Sequence, residues 1–196
     1  MLTKEQGEFL VKLARQVIED HANENETKYE LKESWLQQKH GVFTTLETCP
    51  ENELRGCIGI PEPVKPLGEA IIESVKEVTH DPRFPVLNKD ELEKITIEVS
   101  VLTKPELIKV KKPDEYLKKI SQRKDGLIIR YGIASGLFLP QVWEKISDKK
   151  QFLDNLCWKA GLPSGTWRLP DVKIYRFRAQ IFKEERPRGK VVEIES

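Results

Sequence analysis

Ile95-Thr96-Ile97-Glu98-Val99-Ser100-Val101-Leu102 is the stretch whose reading decides the fold class. Ile95, Ile97, Val99 and Val101 fall on one side of an extended chain, and Thr96, Glu98 and Ser100 on the other. That alternation predicts a half-buried strand. Just upstream, Asn88 caps a short NKDEL turn, preceded by the proline-bounded loop His80-Asp81-Pro82-Arg83-Phe84-Pro85. Before that loop, Leu67, Ala70, Ile71, Ser74, Val75 and Val78 recur at helical spacing. Further back, Gly41–Thr48 and Leu54–Ile60 read as two strands of a hairpin, joined through the turn-forming Cys49-Pro50-Glu51-Asn52-Glu53.

At the N-terminus, Thr3 and Gln6 form a capping box for a helix carrying Phe9, Leu10, Leu13, Ala14, Val17 and Ile18 on one face. A second, shorter helix is predicted over Tyr29–His40, with Leu31, Trp35 and Leu36 on one side. Downstream the texture changes at Lys104-Pro105 to short pieces: ELIKV, a helix at DEYLKKI, strands DGLIIRYG and ASGLFLP, and helices QVWEKI and DKKQFLDNLCWKAG. After the GLPSG break, Asp171–Glu185 reads as one long strand with Tyr175, Phe177, Ala179 and Ile181 on one face. Arg176, Arg178 and Gln180 lie on its other face. Strands in hairpins and separated blocks, rather than strict β-α-β alternation, point to an α+β protein with mainly antiparallel sheets.

Composition excludes several function classes. Lys and Arg number 33 and Asp and Glu 32 among 196 residues, a net charge of +1. Without a basic excess to neutralise phosphates, general nucleic-acid binding is not expected. No apolar run approaches the roughly 20 residues of a membrane span, and the charged N-terminus is unlike a signal peptide. Cys49, Cys57 and Cys157 form no CxxC and no disulfide framework, as in a reducing compartment, so a cytoplasmic location is expected. His21, His40 and His80 lack metal-ligand spacing, and no metal or cofactor is expected. The phosphate-binding, dinucleotide, zincin and EF-hand signatures are missing.

The stretch Leu54-Arg55-Gly56-Cys57-Ile58-Gly59 stands out. Strand alternation directs Leu54, Ile58 and Ile60 to the core and sets Arg55 and Cys57 together on the opposite face. Gly56 and Gly59 permit close approach by another backbone or a ligand. A guanidinium beside a thiol favours thiolate, so Arg55 could make Cys57 a nucleophile; the ordinary alternative is a cysteine packed as a small apolar side chain. His80, Asp81 and Arg83 lie in a stiff loop where functional residues often sit, with capping and a surface ion pair as the ordinary alternative. Glu98 can reach the Arg55/Cys57 face if the strands pair, and is otherwise a solvated carboxylate. Gln141 follows Leu139-Pro140 and either meets a ligand or opens a helix. Cys157 shares the stripe of Phe152, Leu153, Leu156 and Ala160 and belongs to a core.

These residues also carry a resemblance. LRGCIG resembles the signature hexapeptide of the AMMECR family, and DPRFP (81–85), IEVSVLT (97–103), DGLII (125–129), GLFLPQV (136–142), FLDNLCWKAGL (152–162) and the C-terminal YRFRAQIF match the same family in order. Val86 stands where a second proline is common, and QRKDG where GRDG is usual. The resemblance implies two subdomains, each an antiparallel sheet with helices, and a cleft into which the hexapeptide points. The larger subdomain would span 1–103 and 166–196, and the smaller one 104–165. It also implies association with Memo-type and radical-SAM proteins, and no settled reaction.

Two readings stand side by side. In one, a cleft around Leu54 to Gly59, Asp81, Arg83 and Gln141 binds a protein segment or other large ligand. In the other, an enzyme or enzyme accessory uses Cys57 as nucleophile or redox thiol, Arg55 and Arg83 as anion partners, and His80 or Glu98 as proton handlers.

Overall fold

The computed structural model describes residues 2–194. In chain order its elements are α1 (Lys4–Ala22), β1 (Gly41–Thr48), β2 (Leu54–Ile60), α2 (Leu67–Val78), β3 (Ile95–Leu102), β4 (Glu106–Leu107), α3 (Glu115–Lys119), β5 (Gly126–Tyr131), β6 (Ala134–Phe138), α4 (Lys149–Lys159), β7 (Lys173–Phe177), β8 (Ala179–Glu184) and β9 (Val191–Ile194). The fold is α+β with two antiparallel sheets, ordered β2-β1-β3-β8-β9 and β4-β7-β5-β6. The described residues form two compact units: 2–102 together with 180–194, and Thr103–Ala179.

In the first unit, the Thr3/Gln6 capping box starts α1 as the sequence predicts. α1 and α2 bury Leu10, Val11, Ala14, Val17, Ile71 and Val75 against Val42, Leu46, Ile97 and Val99 of the sheet. β3 is buried on both faces, not one: Thr96 and Ser100 are as enclosed as the isoleucines. Only Glu98 of this strand keeps partial exposure.

One buried ion pair ties the first unit's remote segments together. Arg15 on α1 donates from Nε to Glu184 Oε1 at 3.0 Å and pairs through Nη2 with Oε2. The same guanidinium donates to the carbonyls of Leu92 (3.0 Å) and Ile95 (2.8 Å), while Glu184 Oε2 accepts the Ile97 N–H at 3.1 Å. Each of the three guanidinium nitrogens donates to an acceptor, the condition under which buried charge is tolerated.

In the second unit a separate core gathers Leu127, Ile129, Trp143, Phe152, Leu153, Leu156, Cys157, Trp167 and Ile174. Trp143 stacks on Phe152 with ring centroids 3.7 Å apart, and its indole N–H donates to the Asp125 carbonyl.

Several sequence expectations are corrected. Tyr29–His40 forms only a single 3-10 turn at Ser34–Gln37. A short segment does not repay helix nucleation, and Leu36 reaches the core and Leu31 packs beside it without a helix. QVWEKI is likewise a 3-10 turn, Pro140–Glu144. The long C-terminal strand is two strands interrupted at Arg178: β7 pairs with β4 and β5, whereas β8 belongs to the five-stranded sheet. Residues 166–179, read with the larger subdomain, therefore lie in the second unit. At Arg178 the returning chain bonds the outgoing one: Thr103 N–H donates to Arg178 O at 2.8 Å, and Arg178 N–H to Thr103 Oγ1 at 2.9 Å. Strand β9 was not anticipated from the sequence.

Removing one partner of the Arg15–Glu184 pair is expected to destabilise the protein by about 3–5 kcal/mol. The double variant Arg15→Met/Glu184→Leu should lose less than either single truncation, because no charge is left buried alone. Urea unfolding of the three variants measures this. Additive losses would remove the coupling.

Candidate functional site

The hexapeptide forms β2, an edge strand paired to β1. Its register against β1 slips by one: Leu46 faces Gly56 but Glu47 faces Leu54, so Arg55 is an unpaired bulge residue. The bulge turns Leu54 outward, leaving it 45% exposed rather than core-directed. Ile58 and Ile60 do pack on the core as the alternation predicts. Both glycines have identifiable neighbours. A side chain at Gly56 would come within 3.0 Å of Val78 Cγ2 and 3.1 Å of its carbonyl, so the end of α2 packs tightly onto the strand at this glycine. At Gly59 it would strike the Phe43 ring and the Val42 carbonyl.

The open edge of β2 is filled by the DPRFP loop. Cys57 N–H donates to Asp81 Oδ2 at 2.9 Å, and Arg83 Nη2 donates to the Cys57 carbonyl at 3.1 Å. Asp81 and Arg83 also bond each other, through Nε–Oδ1 at 2.9 Å and Nη2–Oδ2 at 2.6 Å. Two side chains thus satisfy the donor and acceptor that a neighbouring strand would otherwise take. The Arg83 guanidinium, with the N–H groups of Cys57 and Arg83, holds the Asp81 carboxyl far below the usual range despite its burial.

Arg55 closes the other end of this loop. It donates to Glu91 in a two-pronged bond (2.6 and 3.0 Å) and to the Pro85 carbonyl at 2.8 Å. Phe84 lies beneath both arginines, with its ring centroid 5.8 Å from Arg55 Cζ and 5.6 Å from Arg83 Cζ. Glu91 completes a capping box with Asn88.

The expectation that Arg55 activates Cys57 is not met. Burial pushes the Cys57 thiol up, and the charges of Glu98 and Asp81 act in the same sense. The opposing influences are the Thr45 hydroxyl, which donates to Sγ at 3.4 Å, and the charge of Arg83. Register places Cys57 opposite Thr45, and Thr45 opposite Glu98, so the three form a row across β2, β1 and β3. His80 turns instead toward α1: its ring meets that of His21 edge-on at 5.4 Å, and Nδ1 lies 2.7 Å from Thr79 Oγ1. Burial, then the neighbouring His80 and Lys76, lower the His21 pKa. Gln141 belongs to the second unit, on the Pro140–Glu144 turn, where its Oε1 is buried without a protein partner.

Thr45 and Glu91 were missed by sequence reasoning. The polar alternation of Thr-Thr-Leu-Glu-Thr marked the face of Thr45, but nothing local linked Glu91 to an arginine 36 residues away. Among the described residues no cluster of three or more His, Cys, Asp or Glu side chains could hold a metal ion. No helix there is long and apolar enough to cross a membrane. Chemically, the site combines a thiol, a hydroxyl and a carboxyl group with the Arg83 guanidinium, whose side chain remains 54% exposed.

Because the folded pKa of Asp81 is depressed, its stabilising contribution is present above its unfolded value of about 3.9 and is lost as pH falls toward the folded value. Asp81→Asn should cost about 1–3 kcal/mol at pH 7, since it weakens the bonds to Cys57 and Arg83. It should also flatten the loss of stability below about pH 4. Denaturant unfolding at pH 7 and pH 3 measures both; equal acid sensitivity in the two proteins would contradict this assignment.

Three comparisons bear on these residues. The AMMECR1 family profile matches residues 11–182. Protein MJ0810 of Methanocaldococcus jannaschii is 51% identical, over 98% of this chain and 97% of its own length, and Protein MK0488 of Methanopyrus kandleri is 51% identical over 98% and 95%. The crystal structure of the uncharacterized protein PH0010 from Pyrococcus horikoshii superposes with a TM-score of 0.92 at 44% identity, covering 100% of this chain and 99% of that one.

Proposed function

The chain belongs to the AMMECR1 family, and from that premise we propose that the face bearing Cys57, Thr45 and Glu98 is a binding surface for a protein segment. The observation that carries this reading is where Arg55 bonds: to Glu91 and the Pro85 carbonyl, not to Cys57. Cys57 is shifted toward the protonated form by burial and flanking carboxylates, whereas a nucleophilic cysteine needs a cationic setting that favours thiolate. The cation expected to supply it, Arg55, is committed to Glu91 and to the Pro85 carbonyl. Asp81 and Arg83 are spent mainly on shaping the β2 edge.

What is left for a partner is a mixed surface. It offers a polarisable sulfur, a hydroxyl and one half-exposed guanidinium, with the Phe43 ring over Gly59. Such a combination suits an extended polypeptide that presents both apolar and charged side chains. An enzyme reading, with Cys57 as nucleophile or redox thiol and Glu98 as proton handler, requires a substantial thiolate fraction at neutral pH.

Native-state alkylation distinguishes the two. The rate at Cys57 should rise with a midpoint above the free-thiol reference of about 8.5, with Cys49 reacting ahead of Cys57 and Cys157 last. Arg83→Gln should move the Cys57 midpoint further up, and Arg55→Ala should leave it in place. A midpoint below 8.5 would support the enzyme reading instead. Peptides selected on the whole protein from a random displayed library should lose at least tenfold in affinity in the Thr45→Arg variant, with thermal melting confirming that it folds. A library yielding no peptide sensitive to this change would refute the binding surface.

A further inference from the structure

The balanced charge of the chain conceals a division between its two units. Residues 103–179 hold seventeen Lys and Arg against eight Asp and Glu, a net +9, while the remaining residues hold sixteen against twenty-four, a net −8. The excess is densest over 103–124, with eight cations against three carboxylates, and all eight cations are exposed. This segment contains β4, the two-residue edge strand of the four-stranded sheet. Lys109 and Lys119, with Arg176 of β7 and with Leu107 and Ile108, line a pocket of about 330 Å³ there. Nearby carboxylates hold these cations loosely. Glu106 meets Arg176 at 3.4 Å and Glu115 meets Lys119 at 3.6 Å, in pairs open to solvent; such pairs are weak and readily exchanged.

The backbone of β4 adds a second feature. Glu106 faces Arg176 and Leu107 faces Tyr175 across the β4–β7 pair, and the Ile108 N–H donates to the Ile174 carbonyl at 2.9 Å. With that bond beside it, the Leu107–Tyr175 pair is of the non-hydrogen-bonded kind, so the Leu107 N–H and C=O point away from β7, out of the sheet's edge. The same register sets the Leu107 side chain, 42% exposed, on one face of the sheet and Arg176 on the other. An open strand edge is a template for an added strand. Because β4 is short and follows Pro105, the paired stretch is brief, and charge must supply much of any affinity.

We propose that the β4 edge of the Thr103–Ala179 unit takes an acidic, extended segment of a partner protein as an added strand. The segment's backbone pairs with the Leu107 N–H and C=O, its carboxylates meet Lys109, Lys119 and Arg176, and its apolar side chains lie along Leu107. Side chains of an extended peptide alternate between faces, which matches the placement of Arg176 on one face and Leu107 on the other. Main-chain pairing at a sheet edge with alternate side chains giving specificity is an established mode of peptide recognition. A phosphate polymer answers the cations and the Leu107 N–H but offers the Leu107 carbonyl no backbone N–H. The inference is independent of the Cys57 surface, which lies on the other unit.

Fluorescence anisotropy of the whole protein with a labelled peptide of alternating Glu and Val, about eight residues long, tests it. Lys109→Gln/Lys119→Gln should weaken binding roughly fivefold or more, and raising salt from about 50 to about 500 mM should weaken it comparably, because the charges are exposed to screening. Leu107→Pro removes the outward N–H without breaking a bond inside the sheet, and should weaken binding roughly tenfold, with circular dichroism confirming that it folds. The peptide carries the same test on the unaltered protein. N-methylating one alternate set of its amides should cost a similar factor, and methylating the other set should not. Thr45→Arg should change nothing. Three outcomes would overturn the proposal. One is no binding at about 50 mM salt. Another is indifference to methylation of either set, with polyphosphate of matched charge displacing the peptide as well as unlabelled peptide does, which would leave a cationic patch alone. The third is self-association in sedimentation that Leu107→Pro abolishes, which would reassign the edge to a second copy of this chain.

Discussion

Arg15 and Glu184 lie 169 residues apart in sequence and meet in a buried ion pair whose donors and acceptors also engage Leu92, Ile95 and Ile97. A charge as deeply buried as Arg15 or Glu184 would be expensive alone. The pair therefore couples α1, β3 and the last part of the chain into one decision: β8 must reach β3 for the guanidinium to be satisfied, and the first five-stranded sheet closes only when it does. The long excursion through residues 103–179 is inserted into a unit whose two ends are held by this bond. That is why a chain can leave one sheet at Leu102, build a second, and return at Gln180.

A similar economy governs the hexapeptide. An exposed strand edge invites pairing with another chain, and β2 is such an edge. Rather than a further strand, the Asp81 carboxylate and Arg83 guanidinium take its Cys57 amide and carbonyl. The bulge at Arg55 bends the strand toward Glu91 and the Pro85 carbonyl, so the loop is clamped at both ends. At Gly56 the end of α2, which leads into that loop, packs closely on the strand. Most of the features that make LRGCIG distinctive are thus accounted for by building a closed edge. The side chain left facing away from this scaffold is the thiol of Cys57, resting against Thr45 in line with Glu98.

Charge follows the same partition as the cores. Each unit has its own hydrophobic cluster, and each has its own sign of net charge. A whole-chain sum of +1 is a statement about neither surface.

Alternation and spacing alone determined the α+β class, the helices capped by Thr3 and containing Leu67–Val78, the hairpin of β1 and β2, and the burial of Cys157, because each follows from local periodicity. Local pattern also marked the hexapeptide and the proline-bounded loop, and set Glu98 on the polar face of its strand. Only the tertiary structure decided what the charged side chains bond to. Arg55 chooses Glu91 over Cys57, Leu54 turns outward at a bulge, His80 meets His21, and β7 joins a different sheet from β8. The physical reason is common to these cases. A hydrophobic stripe is selected by water and can be read residue by residue, whereas an ion pair, a bulge or a change of sheet depends on which distant partner arrives within about 3 Å.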